Sequence, residues 1–252
     1  MTMLKRGLAL LLCMCALVSF ACAEDDPLGV FTLKHGSRES KRVAITVDDC
    51  YKTAREWIAK DVELCHQYNI HMTFFPVVKT GCLEEKYRDL WQSVLDAGCE
   101  IGCHGYQHLR LGSFDYWTLI KRLGRWQEEL DKTLGYHYPA RWLRPPYGSI
   151  DGGKKMNEKQ VTSALRRYGF EHIVHWEVSE TKDMKKALEK IQSGSILLFH
   201  SKKKDTGFLE KLIPILQEQG YEMVTLSELF DLEPVETSEE LYVYDRKNYE
   251  DK

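Results

Sequence analysis

Several features are scarce in this chain. Lys and Arg (35) do not outnumber Asp and Glu (38), and the formal charge is -3. A chain without a basic excess carries no electrostatic footprint for a phosphate backbone, so nucleic acid is not an expected partner. No glycine-rich loop of the dinucleotide or P-loop pattern is present, so a nucleotide cradle is not indicated. The longest apolar run, residues 8–20, is shorter than the roughly 20 residues that span a bilayer.

That run has the context of an export signal. Lys5 and Arg6 precede it, and Ala21-Cys22-Ala23 forms a small-x-small cleavage site ahead of Glu24-Asp25-Asp26. Residues 1–23 therefore read as a secretory signal peptide, with an uncleaved anchor as the alternative. The mature protein is expected to be secreted or associated with the cell envelope, without a membrane span. Cleavage removes Cys13, Cys15 and Cys22 and leaves Cys50, Cys65, Cys82, Cys99 and Cys103. That odd set leaves at least one thiol without an intramolecular partner. It is no disulfide framework, and a chain that is 43% hydrophobic should be held by its core.

Apolar spacing divides the mature chain into alternating elements. Residues 24–40 read as a polar approach segment. Strands are expected at 42–47, 71–78, 100–103, 140–143, 172–176, 195–199 and 221–225. Helical spacing links them: Ala54, Ile58, Val62 and Cys65; then Leu90, Trp91, Val94 and Leu95; then Leu119, Leu123, Trp126, Leu130 and Leu134. Further helices are expected at 157–168, 184–191 and 208–219, with a turn at 226–230. Gly98, Gly135, Gly169 and Gly220 supply the stops. Strand and helix alternating about seven times predict an α/β fold with a parallel sheet, in a single domain over 41–230. Polar residues end at least four of these strands: Asp48-Asp49, His104, Arg144 and His200. A distorted (β/α) barrel gathers such ends at one mouth, so it is preferred over a doubly wound sheet. Residues 231–252 read as an acidic tail, loosely packed, with 241–244 as its apolar patch.

The chemistry centres on His104 and His108. Two histidines four apart project from one side of a helical turn and can close on one metal ion at about 2.0–2.1 Å. The pair alone is a weak signal, and Asp48-Asp49 is the place to look for a third ligand.

These stretches together resemble the polysaccharide deacetylases, the NodB-like domain of carbohydrate esterase family 4. Thr46-Val47-Asp48-Asp49 is similar to the family's first motif, and Gly98 to His108 to its second. Arg144-Pro145-Pro146-Tyr147-Gly148 is similar to the third, and Gly194 to His200 to the fifth. The resemblance implies that Asp49, His104 and His108 hold Zn2+, with Co2+ or Ni2+ also acceptable to such ligands. It implies Asp48 as general base, with Arg144 holding that carboxylate in place and ionised. It further implies that His200 protonates the leaving amine or alcohol. The Tyr147 backbone N–H would bind the oxyanion, Leu198 would face the acetyl methyl group, and Pro146 and Trp176 would line the substrate groove. The implied substrate is an acetylated polysaccharide, with peptidoglycan glycan first. The alternatives are a sugar-binding relative without turnover, or an O-acetyl esterase acting on a polymer such as acetylated xylan.

Two departures from the family pattern stand out. The fourth motif's Asp-Trp pair is absent from 176–184, leaving Glu180 or Asp183 as candidates to orient His200. Cys50 and Cys103 replace a glycine and an asparagine beside the ligands. They could bridge the mouth, supply a soft ligand, or simply pack, and packing is the leading reading.

Overall fold

The computed structural model describes residues 31–150, 154–170 and 172–250. The expected signal peptide and the start of the approach segment lie outside these residues. The central strand is β2, Arg42–Cys50, preceded by a short β1, Thr32–Leu33. Then follow α1 (Arg55–Tyr68), β3 (Met72–Pro76), α2 (Arg88–Asp96), β4 (Glu100–Ile101) and α3 (Tyr116–Leu134). Next come α4 (Glu158–Tyr168), β5 (Ile173–Val174), α5 (Met184–Lys190), β6 (Ile196–His200), α6 (Lys203–Glu218), β7 (Glu222–Val224), α7 (Leu226–Leu229) and α8 (Lys247–Glu250).

All pairings between these strands are parallel. The main sheet runs β4-β3-β2-β6, with β7 also on β2, while β1 pairs with β5. Single bridges close the circuit. Cys103 pairs with Leu143, Leu143 with Ile173, and Val178 with Leu197. The fold is therefore the distorted barrel that the alternation predicts.

The pleat explains where polarity collects. Successive side chains of a strand point to opposite faces. On β2, Val43, Ile45 and Val47 belong to the large cluster under the helices. Ala44, Thr46 and Asp48 take the other face, toward the barrel interior. On β6, Leu197 and Phe199 pack under the helices while Ile196, Leu198 and His200 alternate with them. Both interior rows run from apolar to polar toward the strand's C-terminal end.

Several expectations need correction. Residues 140–143 form no strand beyond the single bridging residue Leu143. Pro139 at their start and Arg141, drawn to Ser227 and Glu233, interrupt the ladder. The approach segment contributes a strand, β1, with Leu33 buried in the interior cluster. Helix α6 begins at Lys203, earlier than the apolar spacing from Phe208 indicates. The tail is anchored, not loose. The Tyr242 N–H donates to Asp131 (2.8 Å), the Tyr244 N–H to Glu128 (2.8 Å), and Tyr249 is buried against Tyr168. Its tyrosines turn inward, while Leu241 and Val243 are exposed.

One buried acid stands between α1 and α6. Asp61 is 1% exposed, and among the described residues neither of its oxygens has a hydrogen-bond partner. Burial pushes its carboxyl up to about 8; the nearby Thr206 hydroxyl offsets this only in part, and Asp205 and Glu210 add to it. The folded protein thus holds a proton there that the unfolded chain releases near pH 4. Stability from this group is complete below that pH and is lost as pH rises toward 8. Asp61→Asn should therefore gain on the order of 5 kcal/mol over the wild type on going from pH 4 to pH 8. Denaturant unfolding across that range checks this, and parallel stability curves for the two proteins would refute it.

Candidate active site

The C-terminal ends of β2 and β6 and the loop after β4 meet at one mouth. Asp48 pairs in register with His200 across β2 and β6. Asp48 is buried and its Oδ1 accepts from Arg144 Nη1 at 2.9 Å. Arg144 is itself fully buried and makes further bonds. Nη1 also donates to Thr46 Oγ1 (2.6 Å), Nε to the Val174 carbonyl (3.2 Å) and Nη2 to the His175 carbonyl (3.0 Å). Burial lowers the guanidinium pKa, and the Asp48 carboxylate works against that.

His104 and His108 do not lie on a helical turn. After the bridging residue Cys103 the chain is irregular, with Gly105 at φ +83° and bends over 106–109. The bend nevertheless brings the two rings together, with centroids 5.1 Å apart. His104 Nδ1 lies 2.8 Å from the Arg144 carbonyl, so that nitrogen carries the hydrogen and Nε2 presents its lone pair. Asp49 Oδ1 is 3.6 Å from His104 Nε2 and 3.3 Å from His108 Nε2. Ligand atoms about 2.05 Å from a tetrahedral zinc stand roughly 3.3–3.4 Å apart. The three side chains fit such an ion, since one ligand atom from each lies within 4.8 Å of the others. Burial, then the neighbouring His104, lowers the pKa of His108 against the pull of Asp49. A neutral imidazole is the form that binds metal.

Two residues here have left-handed backbone, Asp49 at φ 55° and Tyr147 at φ 63°. Such conformations cost about 1–3 kcal/mol outside glycine and persist only where the surroundings impose them. Tyr147 is exposed, with its ring 4.5 Å from that of His108. Gly148 follows it because a Cβ there would stand 2.5 Å from the Trp176 ring. Trp176 thus lies beneath the 146–148 turn, with the Arg144 guanidinium 5.7 Å from its ring. Pro146 is buried against the Gly105 bend. Leu198 is buried two residues before His200 and shares its face. A cleft of about 280 Å³ joins Asp49, Tyr51, Trp57, His200 and Lys202.

Sequence reasoning missed two side chains that bond to residues of this mouth. The Tyr51 hydroxyl donates to Asp49 Oδ1 at 2.7 Å, and the only signal was its place two residues after that aspartate. The other is Asp205, in the first turn of α6. Its Oδ2 accepts the His200 backbone N–H at 2.9 Å and lies 3.4 Å from His200 Nδ1. Burial raises the Asp205 carboxyl, but the two contacts with His200 and the charge of Lys202 outweigh it and hold the pKa below the usual range. The candidates considered for that position serve elsewhere. Asp183 caps α5 by accepting from the Lys186 N–H, and Glu180 accepts from the N–H groups of Lys182 and Asp183. Cys50 and Cys103 are buried free thiols. They contact Val47 and Ser201 on one side and Gly105 on the other, as packing residues do.

The family model for polysaccharide deacetylases matches residues 35–173. The chain belongs to this family. Among curated members it is 28% identical over 209 residues to the peptidoglycan-N-acetylglucosamine deacetylase of Bacillus cereus, covering 77% of this chain and 70% of that protein. It is 22% identical over 211 residues to the bifunctional xylanase/deacetylase of Pseudobutyrivibrio xylanivorans, covering 82% of this chain but only 33% of that protein. Among solved structures it resembles the Bc1960 peptidoglycan N-acetylglucosamine deacetylase, with TM-score 0.64, 26% identity, and 81% and 95% of the two chains covered. A family 4 pseudoenzyme from Bacillus anthracis shares the fold at TM-score 0.67 and 21% identity, over 82% and 71% of the two chains. In this deacetylase fold the Asp48–Arg144 pair is a buried ion pair, with the guanidinium fully out of solvent. Arg144→Met should cost about 3–5 kcal/mol by stranding Asp48, and adding Asp48→Asn should recover much of it. Denaturation of the two variants measures this coupling; additive losses would show that the pair does not act as a unit.

Proposed function

We propose that this chain is a secreted, zinc-dependent deacetylase that hydrolyses N-acetyl groups of a cell-wall or extracellular polysaccharide, with peptidoglycan glycan as the first substrate class. The observation that carries this reading is the convergence of Asp49, His104 and His108 beside a buried, arginine-held Asp48, with His200 at the same mouth. Those three residues would hold a divalent ion, which would supply Lewis acidity and make a water more acidic, with a pKa of about 7. Co2+ or Ni2+ would suit the same donors.

The chain's own groups then divide the work. Asp48 accepts the proton of the attacking water, and Arg144 fixes its carboxylate through the 2.9 Å contact. A base so positioned contributes on the order of 10²–10⁴-fold. The Tyr147 backbone N–H donates to the developing oxyanion. Leu198 faces the acetyl methyl group, while Pro146 and Trp176 shape the wall of the groove. His200, oriented by Asp205, donates a proton to the leaving amine. The contact of Asp205 with His200 supports turnover over sugar binding alone, because it offers a carboxylate where the fourth motif lacks one.

Acetate release is measured on peptidoglycan, chitin-type and acetylated xylan polymers, with and without chelator. Release from N-acetylated glycan that stops with chelator is expected, and release from ester substrates alone would move the assignment to an O-acetyl esterase. His104→Ala should lose both bound metal and acetate release, and unchanged release from it would end the proposal. Asp48→Asn should keep its metal while kcat falls roughly 10²–10⁴-fold. Asp205→Asn should keep its metal and lose about 10–100-fold in rate. A rate equal to wild type would remove Asp205 from the mechanism.

A further inference from the structure

The five cysteines of the described chain are not equivalent. The Cys65 and Cys99 sulfurs stand 3.5 Å apart, and both residues are buried. Cys99 also accepts from the Met72 N–H (3.4 Å). Cys50 contacts the Val47 carbonyl (3.4 Å), Cys82 the Val77 carbonyl (3.2 Å) and Cys103 the Gly105 N–H (3.3 Å). A disulfide needs its sulfurs at about 2.05 Å, a closure of roughly 1.5 Å from the observed separation.

We propose that Cys65 and Cys99 are joined by a disulfide in the exported protein. The inference rests on export to an oxidising compartment, not on the deacetylase activity. As the chain folds and before the site is buried, one thiol loses its proton and attacks a disulfide-bearing oxidant, either a small-molecule disulfide or a thiol oxidoreductase. The mixed disulfide is then displaced by the second thiolate. The two cysteines give up two protons and two electrons, and the oxidant leaves as two thiols. Packing then shields the bond.

Its position gives the bond a purpose. Cys65 lies near the end of α1, the helix that follows Asp48 and Asp49. Cys99 immediately precedes β4, the strand that leads to His104 and His108. The link therefore ties together the two segments whose ends converge as the candidate metal ligands. It encloses β3 and α2, and cross-linking a loop of that length restricts the unfolded chain.

The test uses full-length protein exported to an oxidising compartment, digested without reductant and read by mass spectrometry. A peptide pair linked through Cys65 and Cys99 is expected, with Cys50, Cys82 and Cys103 alkylated as thiols. The oxidised protein should melt roughly 5–15 °C above the reduced form. A Cys65→Ser/Cys99→Ser variant should melt like the reduced protein and ignore reductant. Five alkylated thiols, or a linkage through any of the other three cysteines, would overturn the inference. Acetate release plays no part in this readout, so failure of either proposal is seen separately.

Discussion

The site depends on one side chain more than on any other, the buried guanidinium of Arg144. It bonds Asp48 and Thr46 on β2 and the carbonyls of Val174 and His175 at the end of β5. Its own carbonyl receives His104 Nδ1, and its guanidinium lies 4.8 Å from the Phe75 ring of β3. One residue thus fixes the Asp48 carboxylate, orients a candidate ligand and joins segments that share few ladder bonds. Residues 140–144 have almost no sheet pairing of their own, so these bonds take over the work of a missing strand. A buried cation needs such saturation, because each unmade bond would leave a charge uncompensated at low dielectric.

The polarity of the mouth follows from the same pleat that builds the core. Ala44, Thr46 and Asp48 form one interior row, and Ile196, Leu198 and His200 another, in register. Apolar residues at the closed end secure the barrel, and the polar ends are the part that water can reach. Asp49 breaks this alternation. Its left-handed backbone turns a residue next to Asp48 onto the histidines, so that adjacent carboxylates meet different partners. The strain at Asp49 and Tyr147 is sustained by the rigid strands and packed rings around them.

Much of this was legible in the residues alone. The strand at Arg42, the convergence of Asp49, His104 and His108, the buried arginine and the strand-end histidine come from specific local patterns. What escaped was non-local or masked. His104 and His108 were expected on a helix because a spacing of four fits one, yet a bend with a positive-φ glycine gives the same convergence. The tail's hold on the domain was hidden because Tyr242 and Tyr244 alternate with exposed Leu241 and Val243, which reads as indifferent patterning. Arg42–Cys50 extends past the apolar run because Asp48 is compensated by a partner 96 residues away, which no window of sequence reveals.

Asp205 stands against His200 although the fourth motif, where such an acid was sought, lacks one. The start of α6 is written Lys202-Lys203-Lys204-Asp205-Thr206-Gly207, with no apolar spacing, so it looks like a solvated loop. It is helical because the chain turns directly from β6 over the Asp48 carbonyl, to which Ser201 donates. An acid in the first turn of a helix is favoured by the backbone N–H groups there. Five residues after His200, the same acid can reach both its N–H and its ring. The physical requirement is a fixed carboxylate near Nδ1, and a strand-to-helix junction meets it as well as a distant loop does. Support for a histidine is therefore better sought in the turn that follows it than only in the motif that usually supplies it.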